Sequence, residues 1–189
     1  MMRTARWILV CLLAALMAPT AMFGTHAILQ NTATNFETWH RSVDITNNAP
    51  GWHTALNNGA LVWDNVPNQC HNFRRLGSGG RTLVYRVANY DGVGMVFARV
   101  WGSHTGMMFD DIETWHLNVN TFPGGGSVDL FSIAAHEFGH VLSIAHTQQF
   151  GIDATLPTMA NNFAYGQHYW RTLEAFDRQT EQGLYPTPC

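Results

Sequence analysis

Three histidines and one glutamate stand close together in the segment DLFSIAAHEFGHVLSIAH, residues 129–146. His136 and His140 are four residues apart, so on a helix they project from the same face, one turn above the other. Two neutral imidazoles at that spacing can bind one Zn²⁺, while Glu137 points toward the open coordination position as a general base. Accidental clustering in a chain with ten histidines is the alternative, but these offsets arise by chance in only about 10⁻³ of such chains.

A third ligand is offered by His146, which lies six residues beyond His140. At that distance it cannot share the helical face of the first two histidines if the helix simply continues. The chain must therefore turn after about Leu142 to bring His146 back toward the metal.

The run from His136 to His146, HEFGHVLSIAH, resembles the extended zinc motif H-E-x-x-H-x-x-G-x-x-H of the metzincin peptidases. The flanking SIAA and HT are similar to the matrixin branch of that family. The resemblance implies that His136, His140 and His146 bind zinc, that Glu137 is the catalytic base, and that Met159 forms an apolar floor beneath the metal. Ser143 stands where the family has glycine, and a left-handed backbone there costs a non-glycine residue about 1 kcal/mol.

The same resemblance implies an α+β fold of the metzincin type. Its parts are a twisted mixed β-sheet, an N-terminal helix and the active-site helix packed with it, and a C-terminal helix. Two loop segments are similar to the family's calcium loops and contain Asp91, Asp110 and Glu113. These carboxylates are hard oxygen ligands of the type that Ca²⁺ takes, which makes calcium the second candidate metal. A solvated acidic turn is the alternative reading of the same residues.

Local patterns place the elements along the chain. Helical spacing of apolar residues and the turn signals around them predict a helix at 51–66. β-type runs predict strands at 37–45, 82–87, 95–101 and 107–109. Ser127 can cap the active-site helix, with Asp129 in its first turn. A last helix is expected over 172–182, with Leu173 and Phe176 on one face.

The N-terminal residues 1–27 read as a secretory signal peptide, because Arg3 and Arg6 precede an apolar run too short to span a bilayer. We expect residues 28–189 to form one catalytic domain of a secreted, extracellular protein. Cys70 and Cys189 can pair in an oxidising compartment, and two free thiols are the alternative.

The charge pattern of the chain indicates which classes of partner it can bind. The chain has ten basic residues, all arginine, against thirteen acidic ones, and the arginines are scattered. A nucleic-acid partner or an anionic membrane surface calls for a basic patch, so we expect neither once the signal is removed. We expect a monomer that acts on a protein or peptide substrate.

The sequence thus predicts a secreted zinc metalloendopeptidase that cleaves peptide bonds with a water molecule activated by zinc and Glu137. One alternative is an inactive zinc-containing binding module, although such a module needs the histidines and not the base. The other is a zinc hydrolase that acts on a non-peptide amide. The preferred cleavage site cannot be read from the motif.

Overall fold

A five-stranded mixed sheet forms one layer of the fold. The computed structural model describes residues 36–43, 45, 50–101, 103–147 and 156–187. The strands are β1 (Phe36–Arg41), β2 (Asn72–Arg75), β3 (Thr82–Val87), β4 (Ala98–Trp101) and β5 (Gly106–Asp110). Their order is β2-β1-β3-β5-β4, and only the pairing of β4 with β5 is antiparallel among these strands. The strands predicted from the sequence overlap β1, β3, β4 and β5, whereas β2 was not predicted.

The α-helices whose bounds lie within the described residues are α1 (Pro50–Asp64), α2 (Leu130–Val141) and α3 (Ala175–Leu184). A short 3₁₀ helix, Tyr169–Arg171, precedes α3. Two further short strands, β6 (Trp115–His116) and β7 (Val128–Asp129), pair in parallel immediately before α2. The α+β class, the mixed sheet and the three helices agree with the prediction.

Helices α1 and α2 cross at very short range. Gly59 of α1 lies where a Cβ would be 2.7 Å from the Cβ of Ala134 and 2.8 Å from the backbone N of Ala135. Trp63, one turn further along α1, donates its indole N–H to the carbonyl of Ala135 at 2.8 Å. Phe138 of α2 then packs edge-on against Trp39 of β1, with ring centroids 5.1 Å apart. These contacts fix the helix that carries the histidines against both α1 and the sheet.

The start of α2 differs from the prediction. Asp129, not Ser127, is the N-cap, and its carboxylate accepts a hydrogen bond from the Ser132 backbone N–H at 3.0 Å. Arg171 donates to both carboxylate oxygens of Asp129, so the cap also ties the 3₁₀ helix to α2. The Ser127 hydroxyl instead donates to the Gly124 carbonyl in the preceding turn. A carboxylate satisfies the free N–H groups and the positive end of a helix better than a hydroxyl does.

Other predicted boundaries shift as well. The first strand ends at Arg41, where its pairing with β3 ends, and Val43 and Ile45 are helical. β4 begins at Ala98, because the Val96 N–H is bound by the carboxylate of Asp91 in a loop.

The last helix starts three residues later than predicted. Glu174 and Asp177 form a capping box at its start. Leu173 is buried and precedes this helix, whereas Phe176 is 45% exposed, so the prediction that the two share one helix face is wrong. The face of α3 turned inward carries Asp177 and Glu181, which are both fully buried.

No helix in the part of the chain that the structure describes is long and apolar enough to cross a membrane. The predicted signal peptide, residues 1–27, lies outside the described residues. The Cys70 sulfur is in a disulfide bond, which rules out a free thiol there. Its predicted partner, Cys189, also lies outside the described residues.

Candidate metal centre

The helical spacing of His136 and His140 brings their rings together on one face of α2. Their ring centroids are 4.8 Å apart. His146 approaches both from beyond the helix end, and its Nε2 lies 3.0 Å from Nε2 of His136 and 3.0 Å from Nε2 of His140. Among the described residues, this trio is the one group of His, Cys, Asp or Glu whose ligand atoms all lie within 4.8 Å of one another.

A Schellman turn returns the chain after α2. The Ser143 N–H donates to the His140 carbonyl at 2.9 Å, and the Ile144 N–H donates to the Gly139 carbonyl at 3.1 Å. Ser143 has a φ of 65°, the left-handed conformation expected where the motif usually has glycine. The turn falls directly after Leu142, as predicted, and it places His146 beside the other two histidines.

Backbone carbonyls fix the tautomers of two histidines. Nδ1 of His136 lies 2.6 Å from the Thr158 carbonyl, and Nδ1 of His140 lies 2.8 Å from the Ile144 carbonyl. A carbonyl only accepts, so each Nδ1 carries the hydrogen and each Nε2 presents a lone pair. Lone pairs converging at 3.0 Å repel one another unless a cation lies between them. Tetrahedral zinc with Zn–N bonds of 2.0–2.1 Å would hold such nitrogens about 3.3 Å apart, so the donor set fits that ion.

The environment also favours the neutral, ligating form of these histidines. Burial lowers the pKa of His136 well below its ordinary value, and the neighbouring His140 lowers it further. Burial, followed by the proximity of His146, lowers the pKa of His140 to about 4. Burial lowers the pKa of His146 as well. Neutral imidazoles are what a metal requires.

Glu137 is buried between α2 and the edge strand β4. Its side chain lines the same cleft as the three histidines, and its Oε2 atom is buried with no hydrogen-bond partner among the described residues. Burial raises its pKa to about 8, against the lowering effects of a hydrogen bond from the Val100 backbone and of the charge on Arg99. A buried carboxylate oxygen without a partner is costly, which indicates a group whose partner arrives with water or substrate.

Met159 is fully buried against α2. A Cβ added at Gly139 of α2 would overlap the Met159 sulfur, so the thioether packs directly on the helix between His136 and His140. The Met159 carbonyl accepts from the Thr147 N–H at 2.8 Å, next to His146. The carboxylate of Asp177 accepts from the N–H groups of Thr158 and Met159, at 2.8 and 3.2 Å. Helix α3 therefore holds in place the segment that supports the metal-facing rings.

The cleft above the histidines has a volume of about 1030 Å³. One side is the edge strand β4, and the other is formed by residues 160–163 and Trp170. Trp170 stacks on His136 with a centroid distance of 4.7 Å and an interplanar angle of 16°, and Phe163 packs on the same indole at 4.7 Å. The cleft thus lies along β4, which among the described residues pairs on one side only, and it is walled by aromatic rings.

The three acidic residues predicted as calcium ligands lie in neighbouring loops. Asp110 accepts hydrogen bonds from the N–H groups of Tyr90 and Ile112, at 3.0 and 3.1 Å. Glu113 accepts from the Gly94 N–H and the Tyr165 hydroxyl, both at 2.5 Å. Asp91 accepts from the Val96 N–H at 3.2 Å. These carboxylates order the loops beside the cleft, and calcium binding there stays a prediction.

Comparison with known proteins identifies the family. The family profile described as matrixin, a peptidase family, matches residues 83–186, which is more than half of the chain. The chain is a matrixin. Membership implies zinc as the metal of the three-histidine cluster.

Individual relatives match parts of the chain at modest identity. Stromelysin-3 of Rattus norvegicus is 33% identical over 103 residues, which cover 52% of this chain and 18% of the relative. Metalloendoproteinase 4-MMP of Arabidopsis thaliana is 37% identical over 59 residues, covering 31% and 17%. Matrix metalloproteinase-20 of Homo sapiens is 36% identical over 77 residues, covering 41% and 14%. The matched region of this matrixin spans less than a fifth of the length of each of these relatives.

Sequence reasoning missed two parts of this matrixin site. The Thr158 and Ile144 carbonyls that orient the histidines belong to the backbone, which leaves no signature in residue types. Trp170 lies 34 positions from His136 in the chain, and no periodicity connects them.

Proposed function

We propose that this matrixin is a secreted zinc-dependent endopeptidase. The observation that carries the proposal is the convergence of three Nε2 lone pairs beside the unpartnered carboxylate of Glu137 in an open cleft. His136, His140 and His146 would hold the zinc. When bound, zinc supplies Lewis-acid chemistry: it polarises a carbonyl oxygen and lowers the pKa of water.

Glu137 would be the general base. It is adjacent to His136 in the chain and lines the cleft with it. The positive charge of bound zinc would lower the raised pKa of Glu137, so that its free Oε2 could accept a proton from a water molecule that attacks a carbonyl there. The same carboxyl group can then deliver the proton to the leaving amine. Its burial keeps bulk water away from this transfer, and its contact with the Val100 backbone fixes it beside the strand where a substrate would lie.

The substrate is proposed to be a polypeptide, because the cleft runs along β4 at the edge of the sheet. An exposed strand edge can bind an extended peptide by adding it as a further strand, with main-chain hydrogen bonds that do not depend on side chains. A small amide without a peptide backbone cannot form the series of main-chain hydrogen bonds that such an edge offers. This favours an endopeptidase over a zinc hydrolase of non-peptide amides.

Secretion is supported by two independent features. The N-terminal 27 residues have the pattern of a signal peptide. Cys70 is in a disulfide bond, which is typical of oxidising compartments. We propose that the exported chain acts as a monomer on protein substrates, with residues 28–189 as its catalytic domain.

The test uses the exported, purified chain loaded with one equivalent of zinc. We expect it to cleave casein and a peptide library, to lose this activity with a zinc chelator, and to regain it when zinc is added. Simple acylated amides without a peptide backbone should remain intact. Zinc binding without cleavage of either class would instead support the binding module, and cleavage of the simple amides alone would support the non-peptide hydrolase.

A further inference from the structure

A second group of ionisable side chains is buried away from the cleft, where α1, the segment before β2 and α3 meet. His71 lies between two carboxylates: its Nδ1 is 4.0 Å from Oδ1 of Asp64 and 3.9 Å from Oε1 of Glu181. Asp64 is the last residue of α1, and Glu181 lies in the second half of α3. We refer to Asp64, His71 and Glu181 as the buried triad.

The triad is almost fully removed from water. The side chains of His71 and Glu181 are 1% and 0% exposed, and that of Asp64 is 13% exposed. Neither ring nitrogen of His71 and neither carboxylate oxygen of Glu181 has a hydrogen-bond partner among the described residues. Asp64 differs, because its Oδ1 accepts from the Phe73 N–H at 2.6 Å. Burying a charged carboxylate in such a place is very costly unless it is neutralised by a proton or paired with a positive charge.

The distances favour a proton over a metal ion in this place. At the metal centre the ligand nitrogens lie 3.0 Å apart, whereas the triad atoms are separated by 3.9 and 4.0 Å. Among the described residues, the triad also does not form a group of three ligand atoms within 4.8 Å of one another. A proton needs only two of the atoms to approach, and the closest pair is Nδ1 of His71 and Oε1 of Glu181, at 3.9 Å.

Other charged groups near the triad do not neutralise Glu181. The Tyr185 ring packs on His71 at 5.0 Å, and burial raises the pKa of Tyr185 to about 12, so its hydroxyl stays neutral. Glu37 of β1 and Arg81 also act on Tyr185, but they pair with each other at 2.8 Å. The nearest group with a direct electrostatic effect on Glu181 is Asp64, which repels its negative form.

The triad lies under the contacts that fasten α3 to the rest of the domain. The Tyr185 carbonyl, at the end of α3, accepts from the Cys70 N–H at 2.8 Å, and Gln182 donates to the Pro67 carbonyl at 2.7 Å. One turn before Glu181, the carboxylate of Asp177 holds the N–H groups of Thr158 and Met159. A change in the docking of α3 would therefore reach the segment beneath the metal centre.

We propose that the buried triad is a proton-dependent latch that fastens α3 to the end of α1. One proton, held between Glu181 and His71, lets Glu181 stay buried while Asp64 keeps its negative charge. Loss of that proton leaves two carboxylates facing each other across a neutral imidazole. The latch is strongest in mildly acidic solution and weakens as pH rises through neutrality.

The direction of the pH dependence follows from the number of protons that the folded and the unfolded chain bind. Burial raises the pKa of Glu181 to about 8 and that of Asp64 to about 6, and it lowers the pKa of His71 to about 4. Between pH 6.5 and 8 the folded triad retains the Glu181 proton, which the unfolded chain has lost. The contribution of Glu181 to stability therefore falls as pH rises toward 8, by nearly tenfold in the unfolding equilibrium constant per pH unit at first and by less as the folded pKa is approached. Proton uptake by His71 in the unfolded chain opposes this trend by about a factor of two between pH 6.5 and 8.

Glu181→Gln tests the latch, because glutamine keeps the shape of the protonated side chain and cannot lose the proton. In zinc-loaded full-length chain, urea unfolding at pH 6.5 and 8.0 should show a wild-type unfolding constant that rises about 15-fold relative to that of the variant. Asp111→Asn, which removes an exposed carboxylate paired with Arg86, should keep the wild-type pH dependence. Parallel pH dependence in wild type and Glu181→Gln would overturn the latch.

A measurement on the wild type alone keeps the proposal testable if the variant does not fold. Hydrogen exchange of the α3 amides, corrected for the intrinsic rate, should give an opening constant that rises with pH between 6.5 and 8, whereas that of α1 amides around Trp52 should change much less. An α3 opening constant that is independent of pH would rule the latch out.

Discussion

Ser143 is the one residue of the zinc-binding segment with a left-handed backbone, at a φ of 65°. It occupies the C′ position of the Schellman turn after α2, where glycine is the usual residue because a Cβ is unfavourable there. The turn is nevertheless complete, since both of its backbone hydrogen bonds are present. The position of His146 therefore depends on a turn that holds a small amount of backbone strain.

Ser143→Gly should relieve this strain. We expect the free energy of unfolding to increase by up to about 1 kcal/mol, which is the approximate cost of a left-handed non-glycine residue. Urea unfolding of the zinc-loaded protein measures the change. Ser143→Ala is the matched control and should leave stability nearly unchanged, because alanine meets the same steric cost. Equal stability of the serine and glycine forms would show that the turn is not strained.

At the scale of elements, the crossing of α1 and α2 sets the position of the metal-binding face. Gly59 permits this crossing, because a Cβ there would lie 2.7–2.8 Å from Ala134 and Ala135. The atoms in the way include the α2 backbone, which cannot move aside as a flexible side chain can. His136 follows Ala135 directly, so a displacement of α2 moves the metal centre.

Gly59→Ala should therefore destabilise the fold by about 1–2 kcal/mol, since overpacking outweighs the gain in helix propensity. Zinc affinity should fall with it, and both can be measured by chemical unfolding and by competition with a chelator. Gly183→Ala in α3 is the control: nothing lies within 4 Å of its added Cβ, so it should stabilise by up to about 1 kcal/mol. A stabilising Gly59→Ala would contradict the close crossing.

At the scale of the whole molecule, the metal centre joins parts of the chain that local structure does not connect. α2 carries two histidines of the proposed zinc site, and the segment after its turn carries the third. The Asp177 carboxylate of α3 accepts a hydrogen bond from the Met159 N–H. A bound metal should therefore stabilise the domain as a whole, and not only the turn.

Removal of zinc should lower the thermal midpoint. With zinc at 100 times its dissociation constant, binding adds about 2.7 kcal/mol, which corresponds to about 5–10 °C for a domain of this size. A zinc-selective chelator added in the presence of calcium isolates the effect. His146→Ala should abolish most of the chelator response, whereas His168→Ala, outside the cluster, should retain it. A full response in His146→Ala would remove His146 from the ligand set.

Much of this architecture could be predicted from the sequence, because the signals are local. The spacing of His136 and His140, the turn before His146 and the strand at residues 82–87 all follow from the residues that form them. Phe176 and the start of α2 were predicted incorrectly, because tertiary contacts decide them: Asp129 is tied to Arg171, and α3 turns its acidic face inward. The buried triad had no sequence signal, since Glu181 lies 110 residues beyond His71 and tertiary packing alone brings it to Asp64 and His71.

The proposed mechanism depends on Glu137 as its general base, and one kinetic comparison tests this role. Glu137→Gln keeps the size of the side chain and all three histidines, so we expect zinc content to stay near one per chain. Cleavage of a peptide library should nevertheless fall by about 10²–10⁴ in kcat/KM, the usual contribution of a positioned acid–base group. If the zinc-loaded glutamine variant cleaves peptides as fast as the parent, Glu137 is not the base and the proposed mechanism is wrong.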